Sequence, residues 1–233
     1  MTAAQRLALF DLDHTLLPLD SDYQWADWLA RTGRAGDPQE ARRRNDELMH
    51  RYNAGDLTAE EAAQFMLGLL TRADSAELAL WHEEFMRDVI RPSIQPAAQQ
   101  LVRQHLEQGD LCAIVTSTNE FITAPIARAF GVPHLIATMP EYHNGRYTGA
   151  IHGIPSFKEG KVTRVNKWLA GMGLAMNRFK QSYFYSDSPN DIPLLEAVTH
   201  PVATNPSPAL RKFAQDKGWP ILEIFKDMQD AKS

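Results

Sequence analysis

The chain has 233 residues, 44% of them hydrophobic, and a net charge of −5. That is enough apolar material for one large domain or a domain with a smaller companion, and an acidic balance without a long basic run sets aside nucleic acid and anionic membrane surfaces as main partners. No apolar run approaches a membrane span, the opening MTAAQR lacks a secretory pattern, and a single cysteine, Cys112, excludes an internal disulfide or thiolate metal cluster; a cytoplasmic protein is expected.

Residues 7–10 (LALF) read as a short buried strand running into DLD. Residues two apart on a strand share a face, so Asp11 and Asp13 are expected to point the same way. At the carboxyl end of a parallel strand they would enter the crevice where ligands of open α/β sheets bind. One such carboxylate can attack phosphorus, and a second can pass a proton to and from the reacting oxygen. The plainer alternative is a solvated polar loop.

The next strand-like run lies about a hundred residues on, far more than one crossover helix needs. Within that interval Leu48, Met49 and Tyr52 form an apolar stripe ending at NAGD. Thr58 and Glu61 form a capping box ahead of Ala62, Phe65, Met66, Leu69 and Leu70. Asp74 and Glu77 repeat the start signal ahead of Leu78, Trp81 and Phe85. An all-helical insertion, a cap, is therefore predicted over 17–92, leaving 1–16 and 93–233 as the core. RPSIQP (91–96) reads as a hinge where two prolines interrupt helix. The crossover helix follows and closes at Gly109.

LCAIVT (111–116) is the second strand, with Cys112 a small buried hydrophobe. Thr116, Ser117, Thr118 and Asn119 follow, hydroxyls and a helix entrance that suit a phosphate or simply cap a helix. Pro125 predicts that the helix there starts late or has a disturbed first turn. HLIAT (134–138) is the third strand, and Asn144-Gly145 marks a small β-hairpin flap. Lys161 stands just inside a helix bearing Val162, Val165, Trp168 and Leu169; a lysine there opposes the helix dipole unless an anion is near. Lys158 is its rival. SYFYS (182–186) ends in Asp187, with Asn190 and Asp191 opening the next helix, and acids at a strand end suit Mg²⁺. PVAT (201–204) is the last strand predicted. The alternation of short apolar runs and helices points to an α/β fold, a Rossmann-like, mainly parallel sheet flanked by helices.

Three strand ends thus carry D-x-D, T-S and S-D-x-x-N-D, with a lysine between the last two. This ordered set resembles the haloacid dehalogenase superfamily, and the insertion after the first motif resembles its phosphoserine-phosphatase-like subfamily. The resemblance implies a Mg²⁺-dependent phosphomonoesterase working through an aspartyl-phosphate. Asp11 would be nucleophile and metal ligand. Asp13 would be general acid/base and bind metal through its carbonyl. Thr116, Ser117 and Asn190 would meet the phosphoryl group, and Lys161 would offset its charge. Asp187 would ligate Mg²⁺, with Asp191 supporting metal or lysine. Asp20, beside Asp22, stands where that subfamily meets a substrate amine, so the substrate is expected to be a small, amine-bearing phosphomonoester, phosphoserine-like or histidinol-phosphate-like. Trp25 and Trp28 are candidate walls of the pocket, or at least one of them packs the cap onto itself, and His50 or Arg51 falls near the expected place of a cap arginine for a carboxylate. A phosphotransferase or phosphomutase shares the first step. A non-hydrolytic phospho-acceptor module and a non-catalytic interaction protein are further alternatives, disfavoured by Asp13 and by the complete motif set.

Overall fold

The computed structural model describes residues 6–54, 56 and 58–225. In chain order, β1 (Arg6–Phe10) leads into α1 (Ser21–Arg31), α2 (Pro38–Ala54), α3 (Ala59–Leu69) and α4 (Ser75–Phe85). A π-helical turn over Met86–Ile90 joins α4 to one turn of helix, α5 (Arg91–Ser93). There follow α6 (Pro96–Glu107), β2 (Leu111–Asn119), α7 (Glu120–Ala129), β3 (His134–Thr138), β4 (Pro140–His143), β5 (Arg146–Ile151) and α8 (Glu159–Gly171). The chain closes with β6 (Gln181–Ser186), α9 (Ile192–Ala197), β7 (His200–Thr204), α10 (Pro208–Lys217) and β8 (Ile221–Leu222).

Six strands form one parallel sheet in the order β3-β2-β1-β6-β7-β8, and β4 and β5 form a separate antiparallel hairpin. The predicted mainly parallel sheet is therefore present. Period-two alternation divides the core. Ala8 and Phe10 of β1, with Cys112 and Ile114 of β2, pack under the helices that lie between β1 and β2 in the chain. Leu7 and Leu9, with Ala113 and Val115, face the opposite way onto Val165 and Leu169 of α8 and Leu194, Leu195 and Leu210. Asp11 continues the Leu7–Leu9 series, which directs it toward α8.

Local chemistry explains the element ends. Asp20 caps α1 by accepting the Tyr23 N–H at 2.8 Å, and Thr58 and Glu61 form the predicted capping box on α3. Asp74 accepts the Ala76 and Glu77 N–H groups at the start of α4. The hairpin turns on Asn144 and Gly145, both at positive φ as its sharp turn demands. It docks on the helical insertion. Ser75 Oγ donates to Gly145 O at 3.0 Å and lies 2.8 Å from the Tyr142 hydroxyl. A Cβ on Gly149 would stand 3.2 Å from Thr71 Cγ2, so the close approach needs glycine there.

Several expectations need correction. Asp11 and Asp13 do not share a strand face, because β1 ends at Phe10 and both acids lie in the loop beyond it. Pro92 does not break helix: Arg91–Ser93 is helical, and extended backbone appears only at Ile94 and Gln95, with Pro96 opening α6. Pro125 does not delay α7, which starts at Glu120 behind an Asn119 cap and carries the proline in its interior. β2 runs three residues past its predicted end, with irregular pairing between Val115 and Asn119. β8 was not predicted; two residues offer too little pattern to read. Trp25 and Trp28 wall no pocket. They are buried, stacked 5.6 Å apart, and packed on Phe85. Of the stripe read on α2, Leu48 packs against the core, whereas the side chains of Met49 and Tyr52, Gly55 of NAGD, and the opening five residues lie outside the described residues.

Candidate active site

The carboxyl ends of β1, β2 and β6 open on a cavity of about 560 Å³. Asp11, Asp13, Asp20, Thr116, Ser117, Asn190, Lys161, Asp187 and Asp191, all the predicted site residues, line it. Lys161, in the first turn of α8, is 2% exposed and donates to Asp11 Oδ1 at 2.8 Å and Asp191 Oδ2 at 2.7 Å. Burial by itself favours the neutral amine, but the two carboxylates override it and hold Lys161 above the ordinary lysine range. Lys158, its rival in the sequence, forms the turn before α8 at φ 48° instead.

Asp13 keeps different company. Its Oδ1 accepts the Ser21 N–H at 2.8 Å and its Oδ2 accepts the Thr118 hydroxyl at 2.7 Å. Burial, reinforced by the charge of Asp20, pushes its pKa up to about 6. The loop from β6 adds Asp187 and Asp191. Burial and the charges of Asp11 and Asp191 push Asp187 up to about 8. Burial pushes Asp191 to about 6 against the pull of Lys161, and Ser186 donates to its Oδ2 at 2.7 Å. Thr15 sits between the two loops, its hydroxyl 3.3 Å from both Asp11 Oδ2 and Asp187 Oδ1, and it accepts the Asp187 N–H at 3.1 Å.

Sequence reasoning missed three contributors. Thr118 reads in the sequence as a phosphate donor or a helix cap, and neither reading gives its hold on Asp13; that Thr116 and Thr118 lie two apart is the available signal, since both are buried while Ser117 is exposed. Asn119 reads in the same two ways, and its contact with Asp22 is in neither. It caps α7 through Oδ1 and also donates from Nδ2 to Asp22 Oδ1 at 3.1 Å. Ser186 gave no signal apart from its place at a strand end. Asp20 and Asp22 both line the cavity, and burial raises both pKa values, that of Asp22 strongly, with Asp20 and Asp13 adding repulsion. His50 and Arg51 are exposed and line none of it.

The donor set suits a hard divalent cation. Asp11 and Asp191 share one lysine, and Asp187, raised first by burial and then by the charges of Asp11 and Asp191, is an acid whose ionisation a bound cation would favour. Among the described residues no three His, Cys, Asp or Glu side chains converge as a metal cage. Mg²⁺ takes one or two carboxylates and keeps its waters, so two carboxylates are sufficient.

A family model described as haloacid dehalogenase-like hydrolase matches residues 8–196. A histidinol-phosphatase from Neisseria meningitidis serogroup C is 44% identical over 221 residues, 94% of this chain and 99% of that protein. Among solved structures, a Bordetella pertussis Tohama I protein of unknown function superposes with a TM-score of 0.94 at 72% identity, covering 96% of this chain and 100% of that one. A substrate-bound phosphoserine phosphatase superposes with a TM-score of 0.66 at 16% identity, over 95% of this chain and 94% of its own. At that identity the likeness is one of fold.

Proposed function

The chain belongs to the haloacid dehalogenase-like hydrolases, and from that premise we propose that it hydrolyses the phosphate monoester of an amino alcohol, with histidinol phosphate the foremost candidate. The observation that carries the reading is the division of labour between two neighbouring acids. Asp11 is ion-paired to buried Lys161, while Asp13, free of that pair, is held by Thr118 and Ser21 with its pKa pushed up to about 6. Two carboxyl groups in unlike surroundings take unlike roles.

In this reading an Asp11 carboxylate oxygen attacks phosphorus, the ester P–O bond breaks, and Asp13 gives the leaving alkoxide its proton. Asp13 then takes a proton from water, which attacks the phosphorus of the aspartyl-phosphate and releases phosphate and free Asp11. Lys161 offsets charge between the attacking carboxylate and the phosphoryl oxygens, and Asp191 with Ser186 aims it. Thr116, Ser117 and Asn190 line the phosphoryl pocket. Asp11, Asp187 and the Asp13 carbonyl would hold Mg²⁺, which when bound neutralises phosphoryl charge. Helices of 17–92 act as a cap: Leu48, Ala62 and Met66 reach the cavity from that side, and their closure excludes water. A cytoplasmic site of action belongs to the same reading.

The substrate class follows from the cavity lining. Asp20 and Asp22 offer carboxyl groups whose ionisation a substrate cation would favour, since burial and mutual repulsion otherwise raise their pKa values, and Lys161 is the one Lys or Arg among the described lining residues. A substrate carboxylate, as in phosphoserine, therefore meets no arginine. Met66 and Phe157 supply an apolar wall for a ring. The test is phosphate release from histidinol phosphate, phosphoserine, glycerol phosphate and p-nitrophenyl phosphate, with and without Mg²⁺, beside Asp11→Asn. Histidinol phosphate should be preferred and Asp11→Asn inactive. Equal turnover of glycerol phosphate would remove the amine subsite, and a stable phosphoprotein without turnover would remove the hydrolase.

A further inference from the structure

The turn after Asp11 is fastened by a residue far outside the motifs. Leu12 O receives the N–H groups of Thr15, Leu16 and Leu17, and His14 adopts φ 57° so that the chain doubles back. The carbonyls of His14 and Thr15 face a single side-chain amide. Asn205 Nδ2 donates to His14 O at 3.1 Å and to Thr15 O at 3.2 Å. Its Oδ1 accepts the Ile224 N–H at 2.8 Å, and its own backbone N–H reaches Leu222 O at 2.7 Å. Two carbonyls on one side and an N–H on the other fix which end of the carboxamide is nitrogen. Asn205 sits at φ 45°, a left-handed conformation that asparagine tolerates better than most residues. Two residues on, the Ser207 N–H donates to Asp187 O at 2.9 Å. The loop after β7 thus grips both acid-bearing loops, and these meet again at the Thr15 hydroxyl.

We propose that Asn205 is a positioning residue for the reaction: its carboxamide fastens the turn at His14 and Thr15 to the loop after β7, whose Ser207 N–H in turn holds Asp187 O, and so sets where Asp13 and the Thr15 hydroxyl stand relative to Asp11. It touches neither substrate nor reacting atoms, and its role rests on the phosphatase reading above. Few other side chains could do this. A carboxylate would repel both carbonyls, a glutamine is too long for the same span, and β-branched residues resist positive φ.

Two variants separate the role from simple folding. Asn205→Asp keeps the size, the tolerance for left-handed backbone and an oxygen for Ile224, but turns a carboxylate on the two carbonyls. Asn205→Gly accepts the backbone conformation and removes the side chain. Both should remain folded in thermal melts. A misplacement of reacting groups by about 1 Å costs on the order of 10² in rate, so kcat should fall by about 10-fold to 10²-fold in each. KM should move by less than about threefold, because ground-state binding is left intact. The ratio of Asn205→Asp to wild-type kcat should rise as pH falls, because a protonated carboxyl can again donate to a carbonyl; Asn205→Gly should show no such recovery. Values of kcat within about twofold of wild type in both variants, a loss that tracks the unfolded fraction, or a ratio flat with pH would overturn the proposal. A wild-type protein that releases phosphate from no ester would instead overturn the phosphatase reading.

Discussion

Asp11 and Asp13 leave one strand end and meet opposite chemistry. Lys161 keeps Asp11 in contact with a cation at 2.8 Å, whereas Asp13 meets neutral donors and the like charge of Asp20. The difference can be read out through the leaving group. An alkoxide needs a proton to depart, whereas p-nitrophenolate does not. Asp13→Asn should lower kcat/KM for an alkyl phosphate by about 10²–10⁴-fold, the usual worth of a positioned acid. For p-nitrophenyl phosphate the fall in kcat/KM should be much smaller, since that ratio reports steps only through aspartyl-phosphate formation. Equal losses on the two esters would assign Asp13 to another task.

At the scale of elements, the joint between α4 and α7 is a titratable one. His82 on α4 lies among Trp25, Phe85 and Phe121, and its Nε2 is 2.9 Å from Ile122 O of α7. A carbonyl only accepts, so the neutral ring carries its proton on Nε2. Burial, with a smaller contribution from Arg128, lowers the pKa from 6.5 to about 4. Between those values the unfolded chain binds the proton and the folded chain resists it, so stability is full above pH 6.5 and declines as pH falls toward 4. The total is on the order of 3 kcal/mol. His82→Gln can keep a donor for Ile122 and cannot titrate, so its Tm should fall less than that of wild type between neutral pH and about pH 4. Melts followed by circular dichroism at both pH values decide it. Elements were also the scale at which the sequence spoke most clearly. The motifs at 11–13, 161 and 187–191 stood out because acids and a lysine beside buried apolar runs are costly without a reason. Thr118, Asn119 and Asn205 did not, because a polar residue past a strand looks the same whether it caps a helix, orients an acid or fastens a distant turn. Trp25 and Trp28 leave pocket wall and cap interior both open for a related reason: a periodic aromatic pair announces burial without saying against what.

At the scale of the whole molecule, the charge gathered at one sheet edge is a stability liability that a cation relieves. Mg²⁺ at about 100 times its Kd should stabilise the fold by about 2.7 kcal/mol, which for a chain of this size raises Tm by roughly 5–10 °C. Asp187→Asn should abolish that rise, and without metal it should melt no lower than wild type, since it removes an acid whose ionisation burial and its neighbours oppose. A Mg²⁺-dependent rise that survives in the variant would place the ion elsewhere. The order of strands has a separate consequence, for synthesis. β1 emerges from the ribosome first, yet its partners β2 and β6 begin at Leu111 and Gln181, and the clamp on its catalytic turn waits for Asn205. At about 5–20 residues per second, β1 is left for many seconds without either neighbouring strand. The nascent chain therefore carries Asp11, the proposed nucleophile, well before Lys161, Asp187 and Asn205 exist to hold and support it. In the proposed reading, a translation product that stops before Asn205 should therefore show no phosphatase activity.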